Sequence, residues 1–405
     1  MIKKIVIPSV LILYALIILL PPIIYHYTYP NGGTDTINHL RVFDQLQQGS
    51  HIAELYWGRY IIGYPIIWLS NATGLSIDTI FLWFNFSVLI GIELAVYFII
   101  SKLVNWWAGL VAVPIVVFSQ SVLNMFDDGT IFELVILGIA LPLFLYVVVK
   151  AVNTKKIYWI LTASGIVGFV LVFHLLSAIQ TASSLDTTIS RITTFRLFYS
   201  SMLGLSTIGG IILLILSAMN LKEKINKKDG LAISIGLIII LIVVLSIVAF
   251  GIGKYEPLRV SYDIAIIISL LVVLLMGLII KYGNRIVKIA IPLILVVLSI
   301  PYVIQYYDYN SAITPADKQA IVFARQYNSD NFSCSSEINP VIYGRYLGKE
   351  YVSNSDIYIQ RNKPMTYDTT PDTLYYLGDK QPPDIILKLV ADFNYGDVTV
   401  QVYDK

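Results

Sequence analysis

The stretch NGGTDTINHLRVFDQLQQ, residues 31–48, decides how the rest of the chain is read. It follows closely on a long apolar run, residues 5–24, and gathers Asp35, His39, Arg41 and Asp44 into one short segment. Pro30-Asn31-Gly32-Gly33 is turn chemistry, and Thr34 or Asp35 can cap the helix that follows. On that helix Ile37, Leu40, Phe43 and Leu46 make an apolar stripe, while Asp35 and His39, four residues apart, share a face. The pattern predicts an amphipathic helix lying at a membrane surface. From position alone its polar residues have two readings: a helix cap and a surface group, or parts of a catalytic site.

The rest of the chain supplies the membrane. Of 405 residues 57% are hydrophobic and only 13% charged, and the mean hydropathy is +0.73. A water-soluble domain carries roughly a quarter charged residues, so the composition is that of a membrane protein. One cysteine, Cys334, excludes an internal disulfide framework and any thiolate metal cluster. A net charge of +2, with no Lys/Arg run and no aromatic-basic interleaving, excludes nucleic acid as the expected partner. The N-terminal MIKKIVIPSVLILYALIILLPPIIY starts like a signal peptide, but its apolar run of about 20 residues has no small-residue cleavage site. It reads as a retained first span.

Apolar runs near bilayer-crossing length fall at 5–24, 77–100, 106–123, 131–149, 157–173, 197–219, 231–252, 264–280 and 286–304. Residues 60–69, interrupted by Pro65, are too short to cross and read as an interfacial or re-entrant helix. With the N-terminus inside, the inner connections hold Lys3, Lys4, Lys102, Lys150, Lys155, Lys156, Lys222, Lys224, Lys227, Lys228, Lys281, Arg285 and Lys288. The outer ones before the tail hold Arg41, Arg59, Arg191, Arg196, Lys254 and Arg259. This is the Lys/Arg bias of cytoplasmic loops. The expectation is a multi-pass protein of the cell membrane with its N-terminus cytoplasmic and its C-terminal domain extracytoplasmic.

From about Tyr306 the long apolar runs end, and 13 acidic and 9 basic residues appear. Thr314-Pro315-Ala316-Asp317 opens a predicted helix running to Tyr327, with Thr314 as N-cap, Pro315 in the first turn and Asp317 complementing the dipole. Residues 384–389 and 398–403 read as strands, with 394–397 as turn chemistry between them. The predicted fold class is an all-α polytopic membrane protein of about nine transmembrane helices with a small C-terminal extracytoplasmic α/β domain. The division falls at 1–305, including an outer loop 26–60, and 306–405.

Beyond the opening stretch, polar residues gather at three further outer places. Met125-Phe126-Asp127-Asp128-Gly129-Thr130, with Glu133 after it, puts adjacent carboxylates at a membrane boundary, where they face water, a cation or a polar site; a plain polar turn competes with this reading. His174 ends a span and is followed by a polar connection through Arg196. Arg259, in GKYEPLR, suits an oxyanion by its planar fork or snorkels to lipid headgroups. Glu93 lies alone within the second span, as a functional candidate or as a hydrogen-bonded packing residue. There is no Gly-rich phosphate loop, no HExxH, no convincing Ser/His/Asp set and no Cys/His metal spacing.

This arrangement resembles the GT-C membrane glycosyltransferases, which include oligosaccharyltransferase catalytic subunits, protein O-mannosyltransferases and lipid A aminoarabinose transferases. GGTDTINHLRVFDQLQQG resembles the first outer loop of that superfamily, with Asp35 at the acidic position. YIIGYPIIWLSNATGLSIDTIFLWFNFSVLI resembles its Pro-containing juxtamembrane helix and second span, and MFDDGTIFELVILGIALPLFLY its second acidic motif. VFHLLSAIQ resembles its His-containing outer segment, and YEPLRVSYD its Arg-containing stretch before a late span. The resemblance covers roughly residues 1–310; it departs in having one carboxylate in the first motif and fewer spans than many members.

The resemblance implies transfer of a sugar from a polyprenyl-phosphate or polyprenyl-pyrophosphate donor to an acceptor protein, lipid or glycan on the outer face. Asp35 would be the general base or a metal ligand. Asp127 and Asp128, with His39, Asp44 and Glu133, would orient the acceptor or hold a divalent cation, Mg or Mn, together with Asp35. Arg259, His174 and Arg59 would bind the donor phosphate, whose charge grows in the transition state. The alternative is a non-catalytic polytopic protein: a degenerate relative, a lipid-linked-sugar transporter or an assembly factor.

Overall fold

The fold comes from a computed structural model, which describes residues 2–24, 34–49, 57–128, 130–170, 229–247, 257–283, 285–308, 315–326, 330–334, 340–352, 357–361, 388–395 and 398–404. The helices are α1 (Ile2–Ile24), α2 (Thr34–Gln47), α3 (Trp57–Thr73), α4 (Ile77–Leu103), α5 (Trp106–Val117), α6 (Gln120–Asp128), α7 (Ile131–Thr154), α8 (Ile157–Val170), α9 (Gly230–Ile247), α10 (Pro257–Tyr282) and α11 (Arg285–Asp308). Two more, α12 (Pro315–Ala324) and α13 (Pro340–Leu347), accompany a small sheet. Among the described residues four helical segments are long and apolar enough to cross a membrane: Lys3–Ile23, Ile77–Leu103, Ile131–Thr154 and Ile264–Tyr282. The last is the interior helix, with 83% of its span buried against 17% for the first, whose Ile5, Ile12 and Leu16 are exposed. On a bilayer-spanning helix such side chains face lipid.

Lipid is as apolar as leucine, so burial alone does not draw these helices together; close packing through small residues does. Gly109 of α5 lies where a Cβ would stand 2.9 Å from the Tyr97 carbonyl oxygen of α4. Gly138 of α7 and Gly91 of α4 would place Cβ atoms 2.5 Å from Ile92 and 2.6 Å from Ile139. Caps divide the helices where the sequence offers short polar side chains. Ser76 Oγ accepts from the Thr79 N–H at the start of α4, and Asn105 Oδ1 from the Ala108 N–H at the start of α5.

Four sequence expectations change. The apolar run 106–123 is two helices: α5 stops at Val117, and Ser119, whose Oγ accepts from the Val122 N–H, starts α6. Pro65 does not interrupt 60–69, for α3 runs through it over 17 residues. The helix predicted to reach Tyr327 ends at Ala324. Of the strand expected at 384–389, residues 388 and 389 open a strand, Lys388–Tyr395, that occupies part of the expected turn, while 384–387 lie outside the described residues. The spans expected at 197–219 and the later part of 157–173 lie outside the described residues.

The sheet has five strands, β1 (Asn331–Cys334), β2 (Glu350–Tyr351), β3 (Ile357–Arg361), β4 (Lys388–Tyr395) and β5 (Val398–Asp404), in the order β2-β1-β3-β5-β4. β1 runs parallel to β2 and β3, and β5 antiparallel to β3 and β4. Alternate residues point inward: Ile357 and Ile359 on β3, Val400 and Val402 on β5. They meet Ala316, Ala320, Ile321 and Ala324 of α12, which lies on β4 and β5. On the β1–β2 side α13 packs both on the sheet and on α2, so this unit rests directly on the amphipathic helix.

Candidate functional site

The stripe expected on residues 34–47 is the buried face of α2: Ile37, Leu40 and Phe43 are 5%, 0% and 0% exposed. That face packs on α3, α4 and α6. His39 is buried with it, at 3% exposed, rather than lying on the surface. Its imidazole meets Phe132 edge to face, with ring centroids 4.4 Å apart, and lies 6.1 Å from Phe81. Phe81 also receives Phe43, and Phe126 packs on Phe86. An aromatic floor therefore joins α2, α4, α6 and the start of α7, and aromatic pairs of this geometry fix orientation as well as burying area.

Asp35 falls in the first turn of α2, and Asp127 and Asp128 are the last two residues of α6. Their side chains lie outside the described residues. The turn after α6 is tight because the Met125 carbonyl accepts from both the Thr130 N–H, at 3.0 Å, and the Thr130 hydroxyl, at 2.9 Å. Those two bonds hold Phe132 and Glu133 close to the end of α6. Glu133 is 5% exposed, Asp44 and Arg59 are half-buried, and all three belong to the elements around α2.

Arg259 is in the first turn of α10. Gly277, far along the same helix, lies against Val104, just before α5 begins. With α5 and α10 packed together, this contact makes them antiparallel, and α6 is in contact with α10 as well. The helix bearing the two adjacent aspartates thus touches both the helix bearing Asp35 and the helix bearing Arg259. His174 is outside the described residues.

Among the described residues no group of three or more His, Cys, Asp or Glu side chains forms a metal cluster. The sequence could not have revealed the burial of His39, because its partners Phe81 and Phe132 are far away along the chain. Compared with known proteins, the chain matches no family model, and no curated protein matches it.

Proposed function

We propose that the chain is a membrane glycosyltransferase of the GT-C type, moving a sugar from a polyprenyl-phosphate or polyprenyl-pyrophosphate donor to an acceptor at the outer face. The observation that supports this reading is that α6, which ends in Asp127-Asp128, contacts both α2, which bears Asp35, and α10, which bears Arg259. With the Lys/Arg bias setting the N-terminus inside, the starts of α2 and α10 and the end of α6 all belong to the outer side. Asp35 takes the acceptor proton as the bond from sugar to phosphate breaks. Arg259 neutralises the leaving phosphate through its planar fork. Asp127 and Asp128, with Asp35, are the residues that would hold a divalent cation, which supplies charge for the phosphate oxygens. His39, fixed by the aromatic floor, orients what binds beside them. A lipid-borne donor accounts for carrying out sugar chemistry among apolar helices.

Incubating the purified chain with labelled polyprenyl-linked sugars and a panel of acceptors tests the activity. Asp35→Ala should abolish transfer while leaving membrane expression intact. Normal turnover by that variant removes Asp35 from its role, and the absence of transfer from every donor moves the chain to the non-catalytic class.

A further inference from the structure

Glu93 stands near the middle of α4, in a segment long and apolar enough to cross a bilayer. It is 1% exposed, and among the described residues neither of its carboxylate oxygens has a hydrogen-bond partner. Leu89, Ile92 and Val96 beside it are fully buried. An ionised carboxylate in such surroundings is disfavoured unless compensated, and with no compensating partner among the described residues the group suits a proton on its oxygen or a bound ion. Of the elements packed against α4, α5 and the stretch Leu134–Ala140 carry no titratable side chain. The others, α1, α2, α3, α7 and α10, do carry titratable side chains, Tyr14, His39, Asp44, Arg59, Glu133 and Lys281 among them, and no described side chain hydrogen-bonds to Glu93. α1, the helix that carries Tyr14, packs against α4.

Two further features mark the same place. Leu134–Ala140 of α7 is π-helical, with the Leu141 N–H bonded five residues back to the Ile136 carbonyl. Such stretches are rare inside helices, occur mostly at functional sites, and move carbonyl oxygens off the regular ladder. This one meets α4 at Gly91 and Ile92, through Ile139 and Gly138, at the level of Glu93. Two turns from Glu93 along α4, about 12 Å, Asn85 is 1% exposed with both amide atoms also unpartnered. It lies on the side of Phe81 and His39, and so provides a polar step between that end of the helix and the carboxyl.

We infer that Glu93, at the level where the π-helical stretch meets α4, is a buried monovalent-cation site that takes a proton or a sodium ion. The site is independent of glycosyl transfer and stands whether or not that activity is found. The test uses the full chain in lipid nanodiscs. Infrared difference spectra of the wild type and Glu93→Gln report a protonated carboxyl, and thermal unfolding in sodium chloride against choline chloride at equal ionic strength reports sodium. If the ligand is a proton, a protonated-carboxyl band is present in the wild type and lost in Glu93→Gln, and sodium and choline give the same Tm. If it is sodium, Tm rises with sodium concentration in the wild type and stays flat in Glu93→Gln. Should Glu93→Gln fail to fold, Glu93→Asp keeps the acid and shifts the band or the sodium response. No band dependent on residue 93, together with equal Tm in the two salts, overturns the inference.

Discussion

His39 and Phe132 meet edge to face at 4.4 Å, a contact that locks the amphipathic helix α2 to the start of α7, just past the Asp127-Asp128 turn. A buried histidine there has two roles that substitution can separate. His39→Phe keeps an aromatic ring against Phe132 and should leave thermal stability within about 1 kcal/mol, since shape-conserving swaps are tolerated. His39→Ala should cost about 2–4 kcal/mol, from the cavity and the lost ring pair. Both should lower sugar transfer, and comparing Tm with turnover for the pair checks the assignment. Full activity in His39→Phe would leave the histidine as packing alone.

Gly109→Ala should destabilise the helix bundle by about 1–3 kcal/mol. The new Cβ would stand 2.9 Å from the backbone carbonyl oxygen of Tyr97, which cannot rotate away as a side-chain tip can. Gly165→Ala and Gly168→Ala serve as controls on α8, where a Cβ meets nothing within 4 Å. There alanine should be neutral or gain up to about 1 kcal/mol from helix propensity. Thermal unfolding in one detergent across the three variants reads the difference.

Much of the local structure was legible in the residues. The spacing of Ile37, Leu40 and Phe43 announced an apolar helical face, expected at a membrane surface and found packed on other helices, and Pro315 with Asp317 announced the start of α12. What failed was phase within long apolar runs. In 106–123 the polar triplet Ser119-Gln120-Ser121 does mark the break, but a reading for span length passes over it, and only the Ser119 cap shows that one helix ends and another begins there. The π-helical stretch in LVILGIA left no sign in the sequence; Gly138 there packs against Ile92. Of the site, the polar residues stood out by type, and Glu93 by its isolation in an apolar run. The helix contacts did not, for those of α6 with α2 and α10 depend on how distant helices cross.

In the C-terminal unit Tyr343 donates to Asp317 Oδ1 at 2.5 Å, and both residues are 0% exposed. Asp317 thus ties α12 to α13 in addition to sitting at a helix start. Tyr343→Phe should cost about 1–3 kcal/mol by removing a donor to a buried carboxylate. Because α13 also packs on α2, amide exchange should quicken in both 340–347 and 34–47. Quickening confined to 340–347 would show that the sheet unit does not brace the helix bearing Asp35.

Asp229 joins the start of α9 to the end of α10. Its Oδ1 accepts from the Leu231 N–H at 3.1 Å and from Lys281 Nζ at 3.0 Å, and Tyr282 donates to Oδ2. Burial pushes the carboxyl pKa up, but the hydrogen bonds from Tyr282, Lys281 and Leu231 and the lysine charge outweigh it, so the net shift is downward. A carboxyl with a lowered folded pKa stabilises the fold above the unfolded value, about 3.9 for aspartate, and loses that contribution as pH falls through the lower folded value. Lys281 is 38% exposed on its side chain, so the ion pair itself contributes little and the helix cap most. Asp229→Ala should therefore cost about 1 kcal/mol at neutral pH. Asp229→Asn removes the titration, so the Tm gap between wild type and Asp229→Asn should be constant from pH 8 to about 5 and close below about pH 4. A gap that widens on acidification would reverse the sign of the shift and remove the clasp as its cause.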